Sequence, residues 1–153
     1  MSAPRRIWLL AVLCVLAQQG FGQLGRGGTG VGIEIGSPTG VSILVSQPRG
    51  VSVDMLAAWD LDDFFFFNAH ALFAKDLGQP LSMQFFYGPG AFIGVLDRDR
   101  SIYDEVRVGI SATAGFSLPL DPFELYVRLT PRLQLIDETE AAIGGGFGVR
   151  YYF

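Results

Sequence analysis

One cysteine, one histidine and one lysine are all that the 153 residues supply of those three types. The cysteine, Cys14, lies in an apolar run near the N-terminus. The rest of the chain therefore has no disulfide framework, no thiolate metal site and no cysteine nucleophile. A single histidine, His70, leaves few routes to general-base catalysis. No apolar stretch reaches the ~20 residues that a helix needs to cross a bilayer. Cationic patches are also missing: 11 Lys and Arg stand against 15 Asp and Glu, for a formal net charge of -4. That balance excludes the basic footprint of a nucleic-acid-binding surface.

What the chain has instead is apolar residues, glycine and aromatics. Half of the residues are hydrophobic, 20 are glycine and 13 are phenylalanine, and the mean hydropathy is +0.36. The N-terminus carries Arg5 and Arg6, then an apolar run from Ile7 to Ala17 and a small-residue site at Gly20-Phe-Gly22. This is the layout of a cleaved signal peptide over residues 1–22. Leu13 directly precedes Cys14, so the cysteine does not read as a lipid anchor. Residues 23–153 then form one domain. Loss of Arg5 and Arg6 takes the formal charge to about -6. A hydrophobic, glycine-rich, lysine-poor exported chain suits a β-barrel better than a helical membrane protein.

From residue 28 onward, apolar residues recur at every second position, which is the period of a β-strand. Eight such segments lie between turn residues, at about 28–36, 41–46, 51–59, 64–74, 82–95, 106–117, 123–135 and 141–153. Ser37-Pro-Thr-Gly40 and Gln47-Pro-Arg-Gly50 place proline at the first central turn position. The fifth segment is the least regular, because Pro89 and two glycines interrupt it. Leu96 to Glu105 is the longest and most charged loop. The expected fold is all-β: an eight-stranded antiparallel up-and-down barrel.

Charge placement refines this. Glu34, Asp54, Arg107, Glu124, Arg128, Arg132 and Arg150 all fall on the polar face of their strands, and none on the apolar face. In an outer-membrane barrel that face points into the lumen and the apolar band meets lipid. In a water-soluble periplasmic barrel the apolar face would enclose an apolar ligand. Three features favour the membrane form. The polar face lacks lysine, large aromatics concentrate near strand ends, and the longest loop falls at the end away from the termini. Phe73, Phe85, Phe116, Phe123, Tyr151 and Phe153 cluster toward one rim, and Trp59, Phe65 and Phe67 toward the other. Eight strands leave an interior just filled by side chains, so the seven charges are expected to pair as a lumen network that plugs the barrel.

The chain also resembles small bacterial outer-membrane β-barrel proteins of the OmpA/OmpX-like architecture. The resemblance rests on Gly30-Val-Gly32 through Gly36-Ser-Pro-Thr-Gly40, Ala58-Trp-Asp60, Tyr87-Gly-Pro-Gly90, Val106-Arg-Val-Gly109, the segment 119–124 and Gly145-Gly-Phe-Gly-Val-Arg-Tyr-Tyr-Phe153. It implies a transmembrane barrel in the bacterial outer membrane, with outer-membrane lipid as its surroundings. In such barrels the terminal aromatic and the alternate hydrophobics before it, here Val149, Tyr151 and Phe153, are the assembly signal read by the barrel-assembly machinery. Arg128-Leu-Thr-Pro131 departs from the pattern, since an acidic residue is expected before the proline. The resemblance implies no reaction.

Catalytic and metal-binding readings are weaker. His70 lies on the polar face beside Asn68 and would serve a lipid-modifying enzyme only if a serine and a carboxylate stood near it. Asp60, Asp62 and Asp63 offer oxygen ligands, but their spacing fits no EF-hand loop. Gly25-Arg-Gly-Gly-Thr-Gly30 lacks the ending and the following helix of a phosphate loop. The sequence therefore points to a structural or surface-interaction barrel, without a cofactor, a metal or a catalytic set, and with its surface ligand open.

Overall fold

The computed structural model describes residues 27–60, 64–96, 105–136 and 139–153. The proposed signal peptide 1–22, most of the loop 96–105 and residues 61–63 of the acidic loop lie outside the described residues. Eight strands are formed: β1 (Gly28–Ser37), β2 (Gly40–Ser46), β3 (Ser52–Asp60), β4 (Phe64–Asp76), β5 (Gln84–Leu96), β6 (Glu105–Leu120), β7 (Phe123–Gln134) and β8 (Ala141–Tyr152). Each pairs antiparallel with its sequence neighbour, and β8 closes on β1 from Gly30–Tyr152 to Ser37–Gly145. The result is a closed up-and-down barrel, which removes both sheet edges and their unpaired backbone groups.

The hairpins follow from local chemistry. Thr39 Oγ1 accepts from the Gly36 amide and donates to the Gly36 carbonyl, both at 3.1 Å, closing the β1–β2 turn. Ser52 Oγ accepts from the Gln47 amide at 3.2 Å in the next turn. The Leu77 amide donates to the Met83 carbonyl at 2.9 Å across the β4–β5 loop, where Gly78 takes a φ of 85° that an L side chain rarely adopts. At the closure, the Phe153 amide donates to the Thr29 carbonyl at 3.1 Å.

Several strand ends differ from the sequence reading. β5 starts at Gln84 rather than near residue 82, because Ser82 turns with a positive φ of 48°. β4 runs on to Asp76, which brings Lys75 into the strand opposite Phe85, at the very end of the apolar face. β6 continues to Leu120, so only Asp121 and Pro122 make the turn expected over 118–122. Pro89 does not break β5. The β4–β5 register is the same on either side of it, from His70–Gly90 to Phe73–Tyr87, and only the ladder between is interrupted. Pro131 in β7 does the same between Ser111–Arg132 and Ala114–Leu129. A proline removes a ladder donor without forcing a slip when the strands on both sides are already in register.

The apolar face turns outward. Ile33, Ile35, Ile110, Val127, Leu129 and Phe147 are exposed, whereas Glu34, Asp54, His70, Glu124, Arg128 and Arg150 are buried inside. This overturns the alternative of a barrel whose apolar face encloses a ligand. The aromatic rim expected at the end with the termini also forms. Phe73–Tyr87, Phe85–Tyr87, Phe85–Phe116, Phe123–Tyr151 and Tyr151–Phe153 are in ring contact at 5.1–5.8 Å around the end that carries the termini. The inward face is less uniformly small and polar than its sequence suggests. Leu44, Leu72, Phe86, Tyr126 and Tyr152 cluster toward the end with the termini, and Ala58, Phe66 and Phe92 toward the opposite mouth.

Candidate functional site

By register, Glu34, Arg128, His70 and Ser111 fall between those two interior clusters. Two contacts there come directly from cross-strand neighbours. Glu124 of β7 is paired with Arg150 of β8, and Glu124 Oε2 lies 3.5 Å from Arg150 Nη1. Asp54 of β3 is paired with His70 of β4, and Asp54 Oδ2 lies 3.8 Å from His70 Nδ1.

Three further contacts join strands two apart, and glycine makes them possible. Tyr126, Gly148 and Glu34 are successive members of one row across β7, β8 and β1. A Cβ at Gly148 would run into the Tyr126 hydroxyl; with none there, that hydroxyl donates to Glu34 Oε2 at 2.9 Å. Arg150, Gly32 and Ser42 form a second row across β8, β1 and β2, in which Arg150 Nε donates to Ser42 Oγ at 2.9 Å. His70, Gly90 and Ser111 form a third across β4, β5 and β6, in which His70 Nε2 and Ser111 Oγ are 2.9 Å apart. Adjacent strands lie about 4.8 Å apart, so side chains two strands apart meet only where the residue between them leaves its space empty. The Gly148→Ala protein is expected to lose about 1–3 kcal/mol by overpacking the Tyr126 ring. The urea midpoint of the folded protein measures it.

From these rows a single buried network forms. Arg128 grips Glu34 twice, with Nη2–Oε2 at 2.6 Å and Nε–Oε1 at 3.1 Å, and also meets Asp54 Oδ2 through Nη1. Arg150 Nη2 donates to Asp54 Oδ1 at 2.5 Å. The Tyr152 hydroxyl donates to Glu124 Oε2 at 2.5 Å. The Arg150 guanidinium also lies over the Tyr126 ring at 3.8 Å, a favourable arrangement in a desolvated interior. Asp54, with 0% of its surface exposed, is the hub that both arginines share.

The structure divides the seven charges expected to form one network. Glu34, Asp54, Glu124, Arg128 and Arg150 come together in the lumen. Arg132 and Arg107 stand nearer the mouth opposite the termini, where Arg132 rests on the Phe66 ring at 4.9 Å. The reason is position along the strand: Arg132 lies one full inward repeat beyond Thr130, level with the β7–β8 turn. Tyr126, Tyr152, Ser42 and Ser111 were not singled out from the sequence. For the two tyrosines the signal was the two-residue spacing from the charges, since Tyr126 lies between Glu124 and Arg128 on the same face and Tyr152 follows Arg150, whereas Ser42 and Ser111 stand two residues from no charge.

His70 does meet a serine and a carboxylate. The set nevertheless lacks the geometry of an activated nucleophile. His70 Nδ1 is 3.8 Å from Asp54, too long for the orienting hydrogen bond. Both Asp54 oxygens are already engaged by Arg128 and Arg150. Ser111 is 8% exposed, and the mouth cavity is lined by neither Ser111 nor His70. Among the described residues no cluster of His, Cys, Asp and Glu is arranged to hold a metal ion.

No protein-family model matches the sequence, and no curated protein matches it significantly. Among solved structures, the chain is similar to the N-terminal β-barrel domain of Pseudomonas aeruginosa OprF, with a TM-score of 0.60. The match covers 82% of this chain and 95% of that one, at 14% sequence identity. A likeness at that identity is one of fold, and the fold is that of a small, OmpA-like, eight-stranded barrel.

Proposed function

We propose that the protein is an integral outer-membrane barrel with a side-chain-filled lumen, serving a structural or surface-interaction role rather than a catalytic one. The single observation that carries this reading is the inversion of the usual protein pattern: paired charges inside, a continuous apolar surface outside. In water such a surface would be costly, since soluble monomers rarely expose apolar patches beyond a few hundred Å². In hydrocarbon it is the favourable solution, and closure of the barrel satisfies the backbone. The aromatic contacts around the end with the termini fit an interfacial girdle. Export through residues 1–22 places that end in the periplasm and the opposite mouth at the cell surface. Outer-membrane lipid surrounds the belt, and Val149, Tyr151 and Phe153 present the C-terminal strand to the barrel-assembly machinery.

Two measurements test this together. Protein extracted from outer membranes is expected to migrate faster on a gel before boiling than after, because a closed barrel resists detergent until heated. Reconstituted in planar bilayers, it is expected to give no large, stable conductance, since the network blocks the lumen. Solubility of residues 23–153 without detergent would defeat the membrane reading, and a large steady conductance would defeat the plugged lumen.

A further inference from the structure

Phe116, Val127 and Phe147 form one outward row across β6, β7 and β8. A valine between two phenylalanines leaves a hollow, because its side chain is shorter than the rings on either side. Leu118 and Leu125, paired in the next outward row, and Met83 at its edge extend the hollow into an open groove of about 250 Å³. We propose that this groove and Lys75 together hold one glycerophospholipid, with an acyl chain lying along β7 and the phosphate on the lysine ammonium. The site rests on the membrane reading for its supply of lipid, and it fixes one lipid among those that surround the belt.

The lining selects a hydrocarbon chain. Phe116 and Phe147 are two strands apart, about 10 Å, and they wall a floor made by Leu125 and Val127. Val127 is 52% exposed, so the floor is open to an occupant. No charged residue lines the groove. Drug-sized ligands fill pockets of about 300–1,000 Å³; a smaller, open trough between two rings suits part of a flexible chain.

Charge places the headgroup. Lys75, the only lysine of the chain, is exposed near the end of β4 that lies on the side of the termini. Lys75, Phe85 and Phe116 are successive members of one row across β4, β5 and β6. The rings of Phe85 and Phe116 are 5.3 Å apart, so an apolar surface runs unbroken from the lysine to the groove. A lysine so placed rests its stem on the ring and holds its ammonium at the interface. It makes no ion pair with any described residue. Residues 1–26, which lead into β1, contain no Asp or Glu, and the segments 61–63, 97–104 and 137–138 connect strands at the opposite mouth. Two described acids remain at this end. Asp76 points to the other face of β4 and accepts from Gln84 Nε2 at 2.6 Å. Asp121 sits in the β6–β7 turn, away from the row that holds Lys75. The ammonium is therefore left for a phosphate.

The test uses the exported protein, folded in uncharged maltoside micelles and titrated with phosphatidylglycerol that carries a nitroxide midway along one chain. Saturable broadening of the Phe116, Val127 and Phe147 amide signals is expected, well beyond that at Val41, Ile43 and Met55 on the far wall. Diacylglycerol with the same labelled chain keeps the chain without the phosphate, and is expected to bind about fivefold more weakly, equivalent to about 1 kcal/mol. Lys75→Gln is expected to lower phosphatidylglycerol to that level while retaining heat-modifiable migration. Val127→Trp, which fills the hollow, is expected to abolish the preferential broadening at Phe116 and Phe147. Should one variant fail to fold, the other carries the test. Broadening spread evenly around the belt, diacylglycerol binding as tightly as phosphatidylglycerol, or undiminished binding in the folded variants would each overturn the proposal. So would inorganic phosphate, followed at the Lys75 amide, binding as tightly as the lipid. Each of these outcomes leaves the membrane reading standing as long as migration stays heat-modifiable.

Discussion

Replacing Arg150 by methionine is expected to cost the folded barrel about 3–5 kcal/mol, the range for removing one member of a buried ion pair. Three carboxylates, Glu34, Asp54 and Glu124, share two arginines in the described network. Without Arg150, only Arg128 faces the three. Asp54 loses its 2.5 Å contact and Glu124 its only guanidinium, while Ser42 loses a donor and Tyr126 a cation on its ring. Methionine fills much of the volume, so the loss reports charge and hydrogen bonding rather than a cavity. Urea unfolding of the protein in lipid vesicles measures it. A cost below about 1 kcal/mol, the level of an exposed ion pair, would mean that the lumen is hydrated enough to screen these charges.

The second large effect concerns the outward face. Leu129→Arg is expected to destabilise the barrel by about 2–4 kcal/mol in a bilayer, the cost of a charge near the midplane on the lipid side. Leu129 is 65% exposed and lies near the middle of β7, between Phe123 at one end and Gln134 at the other. On a water-facing strand the same substitution would fall within about ±0.5 kcal/mol, since exposed sites away from special features tolerate change. The two outcomes are well separated, and the same unfolding measurement distinguishes them. A neutral result would remove the membrane from the proposed function while leaving the fold untouched.

These two sites mark how unevenly the molecule could be read from its sequence. Leu129 could be placed from alternation alone, because a strand's side chains change face at each residue. Strand β7 therefore fixed Leu125, Val127 and Leu129 on one side and Glu124, Arg128 and Arg132 on the other. Pro89 was harder. Local chemistry argued for an interruption, yet the neighbouring pairs held the register through it. Arg150 could be assigned to the charged face and, through the adjacent strand, to Glu124. Its contacts with Asp54 and Ser42 could not be assigned, because they depend on which residues face one another after the sheet closes.

The glycine rows show the same division. Gly32, Gly90 and Gly148 look in sequence like ordinary small residues on an inward face. Only the stagger of all eight strands sets Gly148 between Tyr126 and Glu34, or Gly90 between His70 and Ser111. The split of the seven charges has the same origin, since Arg132 shares its face with Arg128 but stands at a different height in the barrel.

The sequence by itself determined the eight strands, most of their turns and which residues share a face, because period-2 alternation and turn chemistry are local. Only the tertiary structure decided that the apolar face turns outward, that Asp54 joins both buried arginines, and that Arg107 and Arg132 stand apart at the mouth. Alternation is unchanged when a sheet is turned inside out, and contacts across a lumen join residues far apart in the chain, so closure and stagger had to be known first.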